Sequence, residues 1–340
     1  MRTVLVTGGL GFIGSNFILH WVKNHPQDRV INYDLLTYAG NPTNVSSVHN
    51  LPQYRYVLGD IADSPLLEKV MLEEMVDTVV HFAAESHVDR SIKDPSVFVR
   101  TNVLGTQYLL EAAMKCGINR FIHISTDEVY GSLGREGFFT ELSPISPNSP
   151  YSASKAGSDL MARAYYETYG LPVIITRCSN NYGPHQYPEK MIPKIITNAL
   201  QNQPIPVYGD GQNVRDWLHV VDHCSAIERV IDSGQPGQVY NIGGNNECTN
   251  LQVVSEILRY LGKPDSLIQF VADRLGHDRR YAIDASKIRD ELGWIPKYSF
   301  HEGMAQTVDW YVEHVEWWRR LIVDVPKRSN GEGDGGEKNK

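Results

Sequence analysis

Cysteine is scarce in this sequence, and the little there is carries no pattern. Cys116, Cys178, Cys224 and Cys248 lie far apart, with no CxxC pair and no nearby histidine spacing. Neither a disulfide framework nor a metal site is therefore expected, and the four read as reduced packing residues. Positive charge is in deficit too: 32 Lys and Arg stand against 40 Asp and Glu, a formal net charge of -8. That argues against nucleic acid as the main ligand. An anionic small molecule stays open, because local arginines and helix N-termini bind phosphates whatever the bulk charge. Long hydrophobic runs are missing as well. None approaches the roughly 18 residues of a membrane span without a charge or glycine, and strand-like sequence begins at Arg2, so no leader and no membrane anchor are expected. These absences together predict a cytoplasmic protein. No internal repeat is visible.

What is present is a chain of 340 residues that is 41% hydrophobic, enough for one large core. Apolar runs of strand length at 3–7, 30–34, 54–58, 78–81, 121–125 and 173–177 alternate with helical stretches. This rhythm predicts parallel strands joined by crossover helices, and runs that are apolar on both faces predict helices on both sides of the sheet. The fold class is α/β: a doubly wound parallel sheet of Rossmann type with a second, smaller α/β lobe. Residues 1–177 form the first domain, and 218–245 is expected to return to it. Residues 178–327 mainly form the lobe, with short strands near 205–208 and 239–242 and helices near 192–202, 250–261 and 300–320. It should cover the carboxyl ends of the strands, where ligands of open α/β sheets sit. Residues 328–340 are Gly, Glu, Lys and Asn without an apolar anchor, and disorder is expected there.

Thr7-Gly8-Gly9-Leu10-Gly11-Phe12-Ile13-Gly14 follows the first strand and opens an amphipathic helix. Gly8, Gly11 and Gly14 let backbone approach a pyrophosphate, while the helix start at Phe12 and Ile13 offers amide donors and a favourable dipole. An ordinary tight turn is the alternative for glycines taken alone. Asp34, about twenty residues past the last of them, ends the second strand where a carboxylate can accept from both ribose hydroxyls, and it would repel a 2′-phosphate. NAD is thus favoured over NADP. Asp60 and Ile61 are placed for the adenine edge, and Ala83 and Ala84 after His81-Phe82 are small enough to leave the phosphate path open.

Tyr151 and Lys155 are four residues apart and share one face if helical. With the lysine charge beside it, and that of oxidised nicotinamide, the phenol should ionise more easily and act as a base. Ser125 and Thr126 lie upstream to bond the same substrate hydroxyl. Thr126 is followed by Asp127 and Glu128. Two adjacent carboxyls repel each other, so one is expected to hold its proton and act as acid while the other acts as base. An acidic helix cap is the plainer alternative. Adjacent residues on an extended segment point to opposite sides, and only a turn or helix start could aim both at one bond. Oxidation by tyrosine and nicotinamide, followed by expulsion of water by acid and base, is the chemistry these groups fit together. Arg215 in Asn213-Val214-Arg215-Asp216-Trp217 is a candidate for a diphosphate, which guanidinium grips with two hydrogen bonds.

With the glycine loop, Asp34, Asn102 and the Tyr151/Lys155 pair, the chain up to Lys327 resembles the extended short-chain dehydrogenase/reductase family, which works on nucleotide sugars. Four segments are similar to its 4,6-dehydratase branch: Ser125 to Gly131, Arg177 to Pro184, Pro188-Glu189-Lys190 and Gly276-His277-Asp278-Arg279-Arg280-Tyr281. Epimerases of the family have small or neutral residues in place of Asp127 and Glu128. The resemblance implies dTDP-glucose as substrate and a 4-keto-6-deoxy sugar as product. Tyr151 would take the C4 hydroxyl proton, Glu128 the C5 proton, and Asp127 would protonate the departing C6 hydroxyl. It also implies that Thr37, Ser86, Thr101 and Asn181 join the cofactor shell. Ser86, Thr126, Asn180, Lys190, Met191, Asn250, Arg274 and His277 would then meet the nucleotide sugar, with Pro206 and Tyr208 flanking the base. Leu35 and Leu275 depart from the family pattern, the second of them in the loop nearest the diphosphate. A nucleotide-sugar 4-epimerase or decarboxylase remains the alternative enzyme, and a redox-sensing or scaffold protein that keeps the NAD fold without catalysis is the alternative of another class. Apolar residues on more than one face of 97–115 and of the helix from about Ser149, among them Tyr108, Leu109, Leu110, Met161, Tyr165 and Tyr166, predict a homodimer.

Overall fold

The computed structural model describes residues 1–323; the tail at 328–340, expected to be disordered, lies outside them. Among the described residues the strands are β1 (Thr3–Thr7), β2 (Arg29–Asp34), β3 (Tyr54–Leu58), β4 (Thr78–His81), β5 (Arg120–Thr126), β6 (Val173–Cys178), β7 (Asn180–Tyr182), β8 (Ile205–Tyr208), β9 (Val214–His219), β10 (Val239–Ile242), β11 (Glu247–Thr249) and β12 (Ile268–Val271). A 7-stranded sheet has the order β10-β6-β5-β4-β1-β2-β3, and all its pairings are parallel. Chain order reverses at β1, which pairs with β2 on one side and β4 on the other. The crevice beyond the carboxyl ends of β1 and β4 is therefore the topological switch point where ligands bind.

Alternation along β1 sorts its side chains into two cores. Val4 and Val6 pack with Phe17, Ile18, Trp21, Ile227 and Val230 from the helices Phe12–Asn24 and Val220–Ser233. Leu5 packs on the other face with Leu67, Leu109, Leu110 and Ala162 from Ser64–Glu73, Thr106–Lys115 and Pro150–Tyr169. Each Val, Leu, Ile or Phe side chain taken wholly from water contributes about 1.5–3 kcal/mol. The remaining strands form β11-β9-β7 and β12-β8. They pack with the helices Met191–Leu200, Asn250–Leu261 and Phe300–Glu313 around Ile192, Trp217, Val253, Ile257 and Tyr311.

Two elements differ from expectation. The stretch 300–320 is not one helix but Phe300–Glu313 and Val315–Val323. His314 leaves helical backbone (φ -111, ψ 43), and its ring Nδ1 donates to the Trp310 carbonyl at 2.8 Å. The Trp318 indole meanwhile bonds the Tyr311 carbonyl at 2.8 Å, so side chains cap the end that a continuous helix would have closed with backbone. Within 97–115, Val99–Gly105 is wound as a π-helix before the α-helix Thr106–Lys115 begins. Such wide turns mark functional sites, and this one carries Thr101 and Asn102 toward the switch point.

Candidate active site

The loop after β1 is shaped for a phosphate group. Gly8 has φ +70, and a Cβ there would sit 2.6 Å from the Ala83 backbone nitrogen, while a Cβ on Gly14 would collide with the Gly8 carbonyl. Backbone thus lies where side chains cannot. The helix Phe12–Asn24 starts at Gly11 with no side-chain cap and no acidic residue in its first turn, which leaves its amide donors for an anion. A cavity of about 360 Å³ opens there, and every residue expected at the cofactor lines it. The residues present fit NAD. Asp34 is in the wall with its two oxygens accepting from Leu10 N at 2.9 Å and Leu36 N at 2.7 Å; each oxygen keeps a lone pair for a ribose hydroxyl. Burial pushes its carboxyl up, against those two amides.

Thr126, Glu128, Tyr151 and Lys155 line this same cavity. Tyr151 and Lys155 lie on the first turns of Pro150–Tyr169, whose start is fixed by a capping box between Ser149 and Ser152. Lys155 is 5% exposed and donates to the Ile124 carbonyl at 2.8 Å; burial lowers its pKa, with Asp159 opposing. Asn102 ties this helix to the loop after β4, donating to Ser154 Oγ at 2.8 Å and to the Glu85 carbonyl at 2.9 Å while accepting from Glu85 N at 2.8 Å. The expectation that Tyr151 ionises easily is not met in the protein alone. Burial pushes it well above the ordinary phenol range, Glu128 and Cys178 add to this, and a hydrogen bond with Thr126 opposes it.

Thr126 ends β5, and Asp127–Tyr130 continues as a 3-10 helix. Three residues per turn rotates neighbours by about 120°, so the acidic doublet does not point one way. Glu128 lines both the cofactor cavity and a second cavity of about 670 Å³. Asp127 lines neither and is 1% exposed. Burial first, then Glu128, pushes Asp127 well above the usual carboxylate range. Glu128 is also raised by burial, but Arg215 and Lys190 pull it back. Burial thus raises both carboxyls, and the nearby cations oppose it at Glu128 through Arg215 and Lys190.

The second cavity holds Asn180, Lys190, Met191, Pro206, Tyr208, Arg215, Asn250, Arg274 and His277 in its wall, whereas Ser86 and Thr126 stay on the cofactor side. Several of these already have partners. Arg215 donates to the Asp278 carbonyl at 2.9 Å and stacks over Tyr281 at 4.3 Å. Arg274 pairs with Asp89 at 2.7 Å, and Lys190 donates to the Ser86 carbonyl at 2.7 Å. Gln186 and Tyr187, which line both cavities, and Tyr281 and His87 beside the nucleotide residues are wall positions that sequence reasoning gave no role. The one available signal was the polar and aromatic run that follows Pro184. Cys178, read from sequence as packing, also borders the cofactor cavity.

The family model described as GDP-mannose 4,6 dehydratase matches residues 5–307. A dTDP-glucose 4,6-dehydratase of Xanthomonas campestris pv. campestris (strain B100) is 53% identical over 95% of this chain and 96% of its own length; one from Escherichia coli is 49% identical over 94% and 96%. The chain belongs to the dTDP-glucose 4,6-dehydratase family. Among solved structures, the dTDP-glucose 4,6-dehydratase DesIV from Streptomyces venezuelae, crystallised with NAD and TYD bound, superposes with TM-score 0.92 at 53% identity over 94% of this chain and 100% of that one. A UDP-glucose 4-epimerase from Thermotoga maritima has TM-score 0.86 at 29% identity over 92% and 100%. The fold is thus shared with epimerases. Glu128 in the wall of both cavities, with Asp127 buried beside it, supplies the acid and base groups that expulsion of water needs in addition.

Proposed function

We propose that the protein dehydrates dTDP-glucose to dTDP-4-keto-6-deoxyglucose with NAD recycled in each turnover, the activity for which the family is named. The observation that carries this reading is Glu128 in the wall of both cavities, where a base must stand to reach a sugar held between nicotinamide and nucleotide site. Bound in the first cavity, NAD supplies the redox chemistry, taking hydride from C4 and returning it to C6. Tyr151 takes the C4 hydroxyl proton, with Lys155 providing the positive charge that favours phenolate. The new ketone acidifies C5. Glu128 removes that proton, Asp127 gives its own to the C6 hydroxyl, and water leaves. Glu128 hands the C5 proton back as C6 is reduced. Arg215, Arg274, Lys190 and His277 hold the diphosphate, Asn180, Asn250 and Met191 the adjoining sugar and nucleotide, and Pro206 and Tyr208 the base.

Residues 1–177 with 218–245 act as the cofactor-binding unit and 178–327 as the substrate lobe. A homodimer is supported by exposed apolar side chains on the same two elements, Val99 (54%), Leu104 (43%) and Leu160 (56%), although Leu109, Leu110 and Tyr165 are spent in the chain's own core. Four free thiols suit the reducing cytoplasm, and among the described residues no helix is long and apolar enough to cross a membrane. Incubating the NAD-loaded protein with dTDP-glucose, and in parallel with UDP-glucose, should give an alkali-detectable ketosugar from the first without consumption of added NAD. A folded, loaded sample that forms no ketone overturns the reading.

A further inference from the structure

Two elements have to be held in register for the proposed dehydration, and this inference rests on that reading. The helix Pro150–Tyr169 carries Tyr151 and Lys155, which act at C4. The 3-10 helix Asp127–Tyr130 carries Asp127 and Glu128, which act at C5 and C6, and it is only 4 residues long. So short a helix gains too little from its own backbone to fix its orientation, and its ends must be anchored from outside. At its start Thr126 Oγ1 accepts from Glu128 N at 3.2 Å. At its other end stands Tyr130.

Tyr130 and Arg177 are both buried, and neither lines either cavity. Their contacts lead instead to both elements. Arg177, on β6, donates from Nη1 to the Tyr130 hydroxyl and from Nε to Asp159 Oδ2, each at 2.9 Å. Asp159 lies on Pro150–Tyr169 one turn beyond Lys155 and on the same face. A guanidinium is planar and its donors are fixed relative to one another, so a shift of one anchor is passed to the other. The Tyr130 hydroxyl in turn donates to Asn241 Oδ1 at 2.8 Å, which ties this end of the 3-10 helix to β10. Asn241 is itself held by donating to the Phe139 and Asp284 carbonyls at 3.1 and 3.3 Å, and the Tyr130 ring stacks on Phe139 with centroids 5.1 Å apart. Burial pushes the Tyr130 phenol up to about 12, against Arg177, so it stays a neutral donor at neutral pH.

We propose that Tyr130 and Arg177 are positioning residues for the elimination: by gripping Tyr130 and Asp159 together, Arg177 sets where Asp127 and Glu128 stand relative to Tyr151. Removing the Tyr130 hydroxyl leaves Arg177 on Asp159 and the Tyr151 helix as they are, while the helix of the acidic doublet loses two of its bonds. The two halves of the reaction then separate. Oxidation at C4 continues, removal of the C5 proton and the C6 oxygen falls behind, and hydride waits on the nicotinamide.

Single-turnover kinetics reads the halves apart. Stopped-flow absorbance of the bound nicotinamide follows C4 oxidation, and the mass of the rapidly quenched sugar, which falls as water leaves, follows elimination. In NAD-loaded Tyr130→Phe given dTDP-glucose, oxidation should run within about 2-fold of wild type, elimination should slow by roughly 10-fold or more, and bound NADH should build up above the wild-type level. Arg177→Lys keeps the charge but has no fork to grip both partners; it should show the same split, and it carries the test if the phenylalanine variant does not hold NAD. Oxidation and elimination falling in parallel, the result of a merely structural role, would overturn the proposal, as would elimination at the wild-type rate. Wild type that forms no ketone is a separate result, which fails the dehydratase reading itself.

Discussion

Asp127 and Glu128 are chemically near-identical neighbours whose carboxyls are both raised by burial, while Arg215 and Lys190 favour the ionised form at Glu128. For Asp127 the sign of the linkage is clear: its folded pKa lies above its unfolded one, so the folded state binds the proton more tightly. Its stabilising contribution is present below the unfolded pKa and is lost as pH rises through the folded one. Asp127→Asn removes that loss. We expect a Tm a few degrees above wild type at pH 7, together with a fall in kcat of roughly 10²- to 10⁴-fold; calorimetry and ketone assay check the two halves. Glu128→Gln should keep NAD and sugar bound but stop exchange of the C5 hydrogen with deuterated solvent, and exchange that persists would reassign the base. Because Glu128 must be ionised and Asp127 protonated, kcat should be bell-shaped in pH. Its acid limb should stand above the ordinary glutamate value, as the raised Glu128 requires, and its alkaline limb should move in Asp127→Asn.

The elements that position these residues are held by a few contacts that leave no slack. Gly8→Ala places a Cβ 2.6 Å from Ala83 N at a backbone angle that side chains rarely adopt, and NAD recovered from the purified variant should drop to background. Asn102 ties together the π-helix, the loop after β4 and the Tyr151 helix. Asn102→Ala leaves buried partners unsatisfied and should cost about 1–3 kcal/mol of stability by denaturant titration, with kcat falling more than KM rises. The strands near these contacts were legible in the sequence to within a residue or two. Their signal is local: apolar runs ended by glycine or a charge. The π-helix and the break at His314 were not: Asn102 is tied to residues far away in sequence, and the break turns on side chains capping carbonyls within the same stretch, for which neither Asn102 nor His314 carries a periodic signal of its own.

Across the whole molecule, the walls of the two cavities are joined by contacts that span the chain. Arg274 reaches Asp89, Lys190 reaches Ser86, and Tyr38, with Arg90 stacked on its ring at 3.9 Å, donates to Glu189 at 2.8 Å. Residue types and spacing pointed to most of the wall; they gave no way to pair residues so far apart, nor to see that burial raises the Tyr151 phenol in the protein without its cofactor. The Tyr38 to Glu189 bond joins two residues in the wall of the cofactor cavity, so Tyr38→Phe should speed NAD loss by roughly 10-fold, measured by exchange against labelled NAD. If Leu104 and Leu160 face a second copy, Leu160→Glu should shift the sedimenting species from dimer to monomer. The most direct measurement is the fate of hydrogen in dTDP-glucose carrying deuterium at C4. The account predicts that the label appears at C6 of a product lacking the C6 oxygen, with no deuterated NADH released. Label at C4 of an inverted sugar that keeps its C6 hydroxyl, or label lost to free NADH, would contradict it.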